Sequence, residues 1–320
     1  MQQEINSEKK DNIIRIIAAY HFMPFAEAKL EKIQKEAKNI ADSLAIKGTL
    51  LLSTEGFNGT LAGSIQSMDT WILYLKKKFS ESVMIKESYH HKNPFLRLKV
   101  KIKPEIVTMG QADIDVATQT GIRVPPDKWN QLLNDEQTVV IDTRNTYEIE
   151  IGSFKGAVNP NTTNFRDFPD YIDAHIDGWQ DKNIAMFCTG GIRCEKASAH
   201  IQKKYGKQVY QLDGGILNYI EKIPESDSSW VGDCFVFDHR VSVDHNLKSG
   251  AHDQCYACRW PLLPDDKLSP NYKQGVSCSR CYQQKTHFQK KRYIERQKQI
   301  DLSKKTGRHH MGINQRNTHD

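Results

Sequence analysis

The chain of 320 residues has no apolar run near the roughly 20 residues that a membrane-spanning helix needs, which argues against a helical membrane protein. Met1–Asn12 is polar and of mixed charge, and no small-residue cleavage pattern follows it. No secretory leader is therefore expected, and the cytoplasm is the default compartment. Cysteine is scarce and odd in number: seven, at 188, 194, 234, 255, 258, 278 and 281. Without a leader, that count speaks against a disulfide framework and for reactive or metal-binding thiols. There is no internal repeat, and no flavin or haem motif is found.

What is present is an ordinary globular composition, 38% hydrophobic and 26% charged, long enough for two or three domains. The net charge of +6 is unevenly placed. Residues 285–320 hold ten Lys/Arg against three Asp/Glu, a net of +7, so the other 284 residues sum to −1. A basic tail on a near-neutral body points to an anionic partner, nucleic acid first, or to a solvated tail that binds nothing specific.

Residues 1–110 read as strand, helix, strand, strand, helix, strand. Ile13–His21 is apolar and β-branched, and Ala26–Ala45 has helical spacing in Leu30, Ile33, Ala37 and Ile40. Gly48–Ser53 and Thr60–Gly63 read as strands about a turn at Gly56-Phe57-Asn58-Gly59. Met68–Phe79 is an amphipathic helix, and Phe95–Ile102 alternates as a final strand. This βαββαβ order predicts a ferredoxin-like domain. Pro104–Pro126 reads as a linker plus a docking segment. From 124 to 225, the strands Thr138–Asp142, Ile184–Phe187 and Gln208–Leu212 alternate with helical stretches such as Pro126–Leu133. That alternation predicts a parallel α/β sheet, with the site at the C-terminal strand ends. A Cys-rich segment at 232–286 and the basic tail at 287–320 follow.

Cys188 stands at such a strand end and opens the run Cys188-Thr189-Gly190-Gly191-Ile192-Arg193-Cys194. The backbone amides of Thr189, Gly190, Gly191 and Ile192 can form an anion nest, and the helix that follows adds its positive end. Arg193 adds a full charge. All three effects favour a thiolate, the nucleophilic form of cysteine. The Cys-x4-Arg ring is one residue shorter than the loop that encircles a phosphate, and suits a sulfur or oxygen atom carried on the cysteine. The plain alternative is a buried inert thiol. Cys194 is placed to resolve an oxidised Cys188, or else simply packs in the core.

Val140-Ile141-Asp142-Thr143-Arg144, Gly152–Pro160, the Cys188 loop and Leu212-Asp213-Gly214-Gly215-Ile216 together resemble the rhodanese signature over about residues 124–225. Phe154 departs from it, standing where many rhodaneses have another residue. Asp142 and Arg144 read as fixing a strand end rather than reacting. Thr54–Thr60 and the Cys234-Phe235-Val236-Phe237-Asp238-His239-Arg240-Val241 segment extend the likeness. With them, the whole chain resembles the rhodanese-domain tRNA uridine hydroxylases. That resemblance implies oxygen-dependent conversion of the wobble uridine to 5-hydroxyuridine, with the tRNA anticodon loop as partner and molecular oxygen as co-substrate. Cys188 would be the essential thiol, acting as a nucleophile on the base, a persulfide or a sulfenic acid. A sulfurtransferase carrying a persulfide on Cys188 is the first alternative, and a non-catalytic RNA-binding adaptor the second.

Cys255-x2-Cys258 and Cys278-x2-Cys281 have the spacing of a structural zinc ribbon. Four reduced cysteines or stray disulfides are the alternative. In the tail, Lys290-Lys291-Arg292 beside Phe288 and Tyr293 either grips phosphates and stacks a base or forms a plain charged helix face. His309-His310 reads as solvated.

Overall fold

The computed structural model describes residues 13–111 and 114–306. Met1–Asn12, His309-His310 and the end of the basic tail lie outside the described residues. The described chain falls into two units, one built from residues up to Asp238 together with Val243–Lys248, the other from His239–Ser242 and the chain from Ser249 onward.

The first unit opens with β1 (Ile14–Phe22), α1 (Glu27–Ser43), β2 (Lys47–Ser53), β3 (Gly56–Ser64), α2 (Ile65–Lys78), β4 (Met84–His90) and β5 (Leu98–Ile102). The sheet order β4-β1-β3-β2-β5 is the ferredoxin-like arrangement with one strand added at an edge. Leu30, Ile33, Ala37 and Ala41 of α1 recur at helical spacing and are buried. They pack with Met68, Trp71 and Leu75 of α2 over Ile17, Ala19, Leu50, Leu52 and Leu61 of one sheet face. Ser64 caps α2 by accepting the Ser67 amide at 3.1 Å.

Two sequence expectations are corrected here. The turn between β2 and β3 is Thr54-Glu55, and Gly56-Phe57-Asn58-Gly59 lies inside β3, paired to both neighbours. The last strand of the split motif is β4, antiparallel to β1, while the segment read as that strand supplies β5, parallel to β2. β4 (Met84-Ile85-Lys86-Glu87-Ser88-Tyr89-His90) has no clean apolar alternation because its burial is only partial along most of its length, so a period-two search passes over it.

The linker contains one helical turn, α3 (Val116–Gln119), and the parallel sheet begins slightly early with β6 (Ile122–Val124). Then come α4 (Pro126–Leu133), β7 (Thr138–Asp142), α5 (Thr146–Ile149), β8 (Gly152–Phe154), α6 (Phe168–His175), β9 (Asn183–Phe187), α7 (Ile192–Tyr205), β10 (Val209–Leu212), α8 (Gly215–Lys222) and β11 (Trp230–Gly232). The order is β6-β10-β9-β7, and every pairing is parallel. The central strands are buried on both faces, as parallel strands covered by helices are. Ile141, Ile184 and Met186 face Phe168, Ile172, Ala197 and Ile201, whereas Val140, Ala185 and Phe187 face Trp129, Ile216 and Tyr219. Phe154 fills the second layer, edge-on to Phe187, Tyr219 and Trp230 at 4.7–5.2 Å. Its departure from the rhodanese pattern is thus a packing choice in an aromatic cluster.

The expected start of the Cys-rich segment at 232 is also corrected. Cys234 and Val236 belong to the second core layer of the α/β domain. They are buried there with Phe154 and Trp230, and the first unit runs on to Asp238, so the separate unit starts later. Among the described residues, no helix is long and apolar enough to cross a membrane.

Candidate active site

β9 ends at Phe187, and Cys188 follows at its C-terminal edge, fully buried. The loop then turns through Gly191, whose φ of 99° is a left-handed conformation that glycine adopts without strain. This turn aims the Gly191 amide at the Cys188 Sγ, which accepts it at 3.1 Å. The amides of Arg193 and Cys194, in the first turn of α7, also donate to it. Of the four amides expected around the sulfur, the hydrogen bond is therefore Gly191's, and the helix adds two more. A second glycine permits the fold of the loop. Gly215 (φ 66°) lies so close that a Cβ there would sit 2.5 Å from the Cys188 carbonyl oxygen. The Ile216 and Leu217 amides of α8 donate to the Cys188 and Thr189 carbonyls at 2.9 and 3.1 Å. Asp213-Gly214-Gly215 is thus a clamp on the loop.

Burial opposes ionisation of Cys188. It is outweighed by a hydrogen bond from the Cys194 thiol, the charge of Arg193 and the two helix amides, which bring the pKa down from 9.0 to about 5. Cys194 moves the other way: burial and the neighbouring Cys188 negative charge push its thiol well above the usual range. Its Sγ also lies 3.7 Å from the Thr143 hydroxyl, which itself donates to the Phe187 carbonyl. The cradle holds one negative charge, on Cys188.

Arg193 does not reach out to a ligand. Its guanidinium forms a two-point bond to Glu148 at 2.6 and 2.8 Å, with both side chains buried. Its charge still lowers the Cys188 pKa, the part expected of it, while the guanidinium itself is paired with Glu148. Burial opposes the charge on Glu148, but Arg193 outweighs it and holds the carboxyl below its usual range. Behind it, Arg144 is fully buried on Asp142 at 2.6–2.9 Å and donates to the Glu148 and Gly152 carbonyls. Asp142 and Arg144 therefore brace the frame, as their position at the end of β7 suggested. Phe237 from the Cys234-Phe235-Val236-Phe237 segment lies over the Arg193 guanidinium at 5.9 Å. Burial raises Cys234 to about 12, a thiol poorly suited to react at neutral pH.

The N-terminal domain covers the loop. The Tyr20 hydroxyl of β1 hydrogen-bonds Glu195 at 3.3 Å, and a Cβ on Gly191 would meet that hydroxyl at 2.9 Å. Glu195 also accepts from Thr120 and Arg123. Lys196, next on α7 and almost wholly buried, is held by Glu55 of the β2–β3 turn at 2.8 Å and by Glu105. Lys86 of β4 reaches Asn218 on α8 at 2.6 Å. Glu148, Glu195, Lys196 and Tyr20 were not singled out from the sequence. The signal available was the Cys194-Glu195-Lys196 run, whose charges lie on a buried helix where a charge needs a partner.

Two domain families match in series. Residues 14–106 match the "UPF0176 acylphosphatase like domain", and residues 125–222 match the "Rhodanese-like domain". The chain has the two-domain architecture of the UPF0176 rhodanese proteins. Among solved structures, a rhodanese-related protein from Thermoplasma volcanium is 22% identical, aligning 32% of this chain and 95% of its own at a TM-score of 0.24. A protein of unknown function from Rhodopseudomonas palustris, titled a possible tyrosine phosphatase, is 18% identical over 36% of this chain and 96% of its own, with a TM-score of 0.25. The BLUF protein BlrB aligns with 29% of this chain and 73% of its own at 15% identity and a TM-score of 0.26.

In the second unit, Cys255, Cys258, Cys278 and Cys281 converge, their sulfurs all within 4.8 Å of one another. Three sulfur pairs are separated by 3.7, 3.8 and 3.9 Å. Four thiolates at the usual ~2.3 Å from a tetrahedral zinc stand about 3.8 Å apart, so the donor set fits that ion. The unit has little apolar core besides these cysteines, which pack with Leu262, Ala257 and Tyr272.

Proposed function

We propose that this protein hydroxylates the wobble uridine of tRNA at C5, using molecular oxygen, with Cys188 as the reacting thiolate. The observation that carries this reading is the buried Cys188 sulfur, held by the Gly191 amide in a cradle that favours its anion and enclosed beneath an N-terminal domain that a stand-alone rhodanese unit would lack. A thiolate adding at uridine C6 makes C5 electron-rich, the position that must take oxygen. A loop base leaves its stack at low cost, so an anticodon uridine is a reachable substrate. Insertion of one oxygen atom from O2 at C5, the other leaving as water, takes two electrons and two protons. Loss of the C5 proton then expels Cys188 from C6 and restores the C5–C6 double bond. The freed Cys188–Cys194 dithiol supplies those two electrons and protons by reducing the oxygen adduct on C5 to the hydroxyl and water, passing to a disulfide that a small-molecule thiol would then reduce. Glu148 and Arg193 hold the loop in the shape that keeps Cys188 charged. A zinc ion on Cys255, Cys258, Cys278 and Cys281 would serve as a structural staple for the second unit.

Nucleoside mass spectrometry of tRNA tests this. A deletion strain complemented with the natural chain regains 5-hydroxyuridine, and one complemented with Cys188→Ser does not; normal levels in the Cys188→Ser strain would sink the proposal. The rhodanese-like match favours a second reading, sulfur transfer through a Cys188 persulfide. Rapid turnover of thiosulfate and cyanide by the purified protein would favour it.

A further inference from the structure

The second unit is poor in buried apolar side chains yet rich in aromatic rings stacked under cations. Arg259 lies over Tyr256 at 5.6 Å, Arg280 over Trp260 at 4.1 Å, Lys290 over Tyr282 at 4.2 Å, Arg292 over Phe288 at 6.0 Å and Arg296 over Tyr293 at 5.1 Å. All five fall between Tyr256 and Arg296, each cation within the ~6 Å at which a ring face attracts it. Core packing does not account for them: Tyr256, Tyr282 and Phe288 are 39%, 42% and 69% exposed.

The helix α9 (His287–Lys305) supplies three of the cations and two of the rings. It has no buried residue, and it holds seven Lys/Arg against Glu295 and Asp301. Only a half-buried stripe at Tyr293, Ile294, Gln297 and Ile300 packs inward, so polar contacts must help to hold it. A capping box at Thr286 and Gln289 starts it. Arg296 then donates to the carbonyls of Tyr256 and Gly275 at 2.9 and 2.8 Å, one beside each cysteine pair. The cysteine cluster thus sets where the helix, its cations and its rings are held.

Alternating rings and cations on an exposed surface suit a ligand whose repeat is one plane and one negative charge. A nucleotide has that repeat. An acidic peptide would answer the cations and leave the rings without a planar partner, and a base-paired duplex hides its base faces. We propose that the second unit is a single-stranded RNA platform, with bases stacking on Tyr256, Tyr282 and Phe288 and phosphates pairing with Lys290 and Arg292. This deepens the tRNA reading by assigning the unpaired strand to these residues.

Fluorescence anisotropy of the full zinc-loaded chain with labelled oligouridylate at several salt concentrations tests it. Tyr282→Ala and Phe288→Ala should each weaken binding at least about fivefold, the lower end of what a stacked base contributes. Tyr282→Phe, which keeps the ring, should bind as the natural chain does. Lys290→Met should flatten the salt dependence by about 0.7 in log–log slope, one phosphate contact in a single strand. Unchanged affinity in both alanine variants, with zinc content and circular dichroism intact, would overturn the platform. Equal affinity for an RNA duplex, or equally strong displacement by polyglutamate, would overturn it too. The readout is independent of catalysis. Ring-dependent binding without 5-hydroxyuridine defeats the hydroxylase and leaves the platform standing; hydroxylation that survives the loss of ring-dependent binding does the reverse.

Discussion

Cys188 and Cys194 are six residues apart, share one cradle and differ sharply in acidity. The cause is occupancy: the Arg193 charge and the helix amides can stabilise one anion, and Cys188 takes it. Above about pH 5 Cys188 is charged, and below it the thiol is protonated, whereas an ordinary cysteine changes near 9.0. The ultraviolet thiolate absorbance that separates the natural chain from Cys188→Ser should therefore rise through a midpoint near pH 5. A midpoint near 9 would show that the cradle does not act. Once Cys188 is oxidised to a neutral form, the same charges act on Cys194, which becomes the attacking thiolate. Treatment with peroxide should then give a Cys188–Cys194 disulfide by peptide mass spectrometry in the natural chain, and over-oxidised Cys188 in Cys194→Ser. The strand-end place of Cys188 and its cradle of loop amide and arginine were legible in the sequence because glycines and an arginine beside a strand end have few other uses. Glu148 was not, because its spacing from Arg193 reflects the folded loop rather than any local pattern.

At the scale of elements, the strands flanking the site could be read directly. Val139–Ile141 within β7 and Ile184–Phe187 are continuous apolar runs because both faces are covered. β4 was missed because its residues alternate weakly, and the β2–β3 turn was misplaced by glycines that serve strand pairing instead. The clamp of α8 on the loop depends on one such glycine. Gly215→Ala would put a Cβ against the Cys188 carbonyl at 2.5 Å in a left-handed conformation. The backbone term alone costs about 1–2 kcal/mol, so urea denaturation should show at least that loss, together with a raised Cys188 midpoint. The cysteine pairs make a similar demand on the second unit. Metal analysis should find one zinc per chain, and chelation should melt α9 by circular dichroism while leaving the Cys188 midpoint where it was. Absence of zinc, or an unmoved helix signal, would refute the staple.

For the whole first unit, neighbouring residues of α7 tie the two domains together. Glu195 answers Tyr20, Thr120 and Arg123, and Lys196 answers Glu55 and Glu105. No pattern in the sequence joins Glu55 to Lys196, 141 residues away, so the docking of the domains was beyond its reach. Breaking a buried pair by removing one partner costs about 3–5 kcal/mol. Lys196→Met should lower the stability of the chain by up to that amount, less for the partial exposure of both carboxylates, and should speed alkylation of Cys188 by iodoacetamide. Unchanged alkylation would separate domain seating from access to the thiol. The cover that Tyr20 and its sheet place over the loop has a further consequence. An acidic thiol left open to the surroundings is the first side chain to be spent on stray peroxide. Under that cover Cys188 should meet peroxide more slowly than an open thiol of the same acidity would, which tempers its loss to stray oxidants.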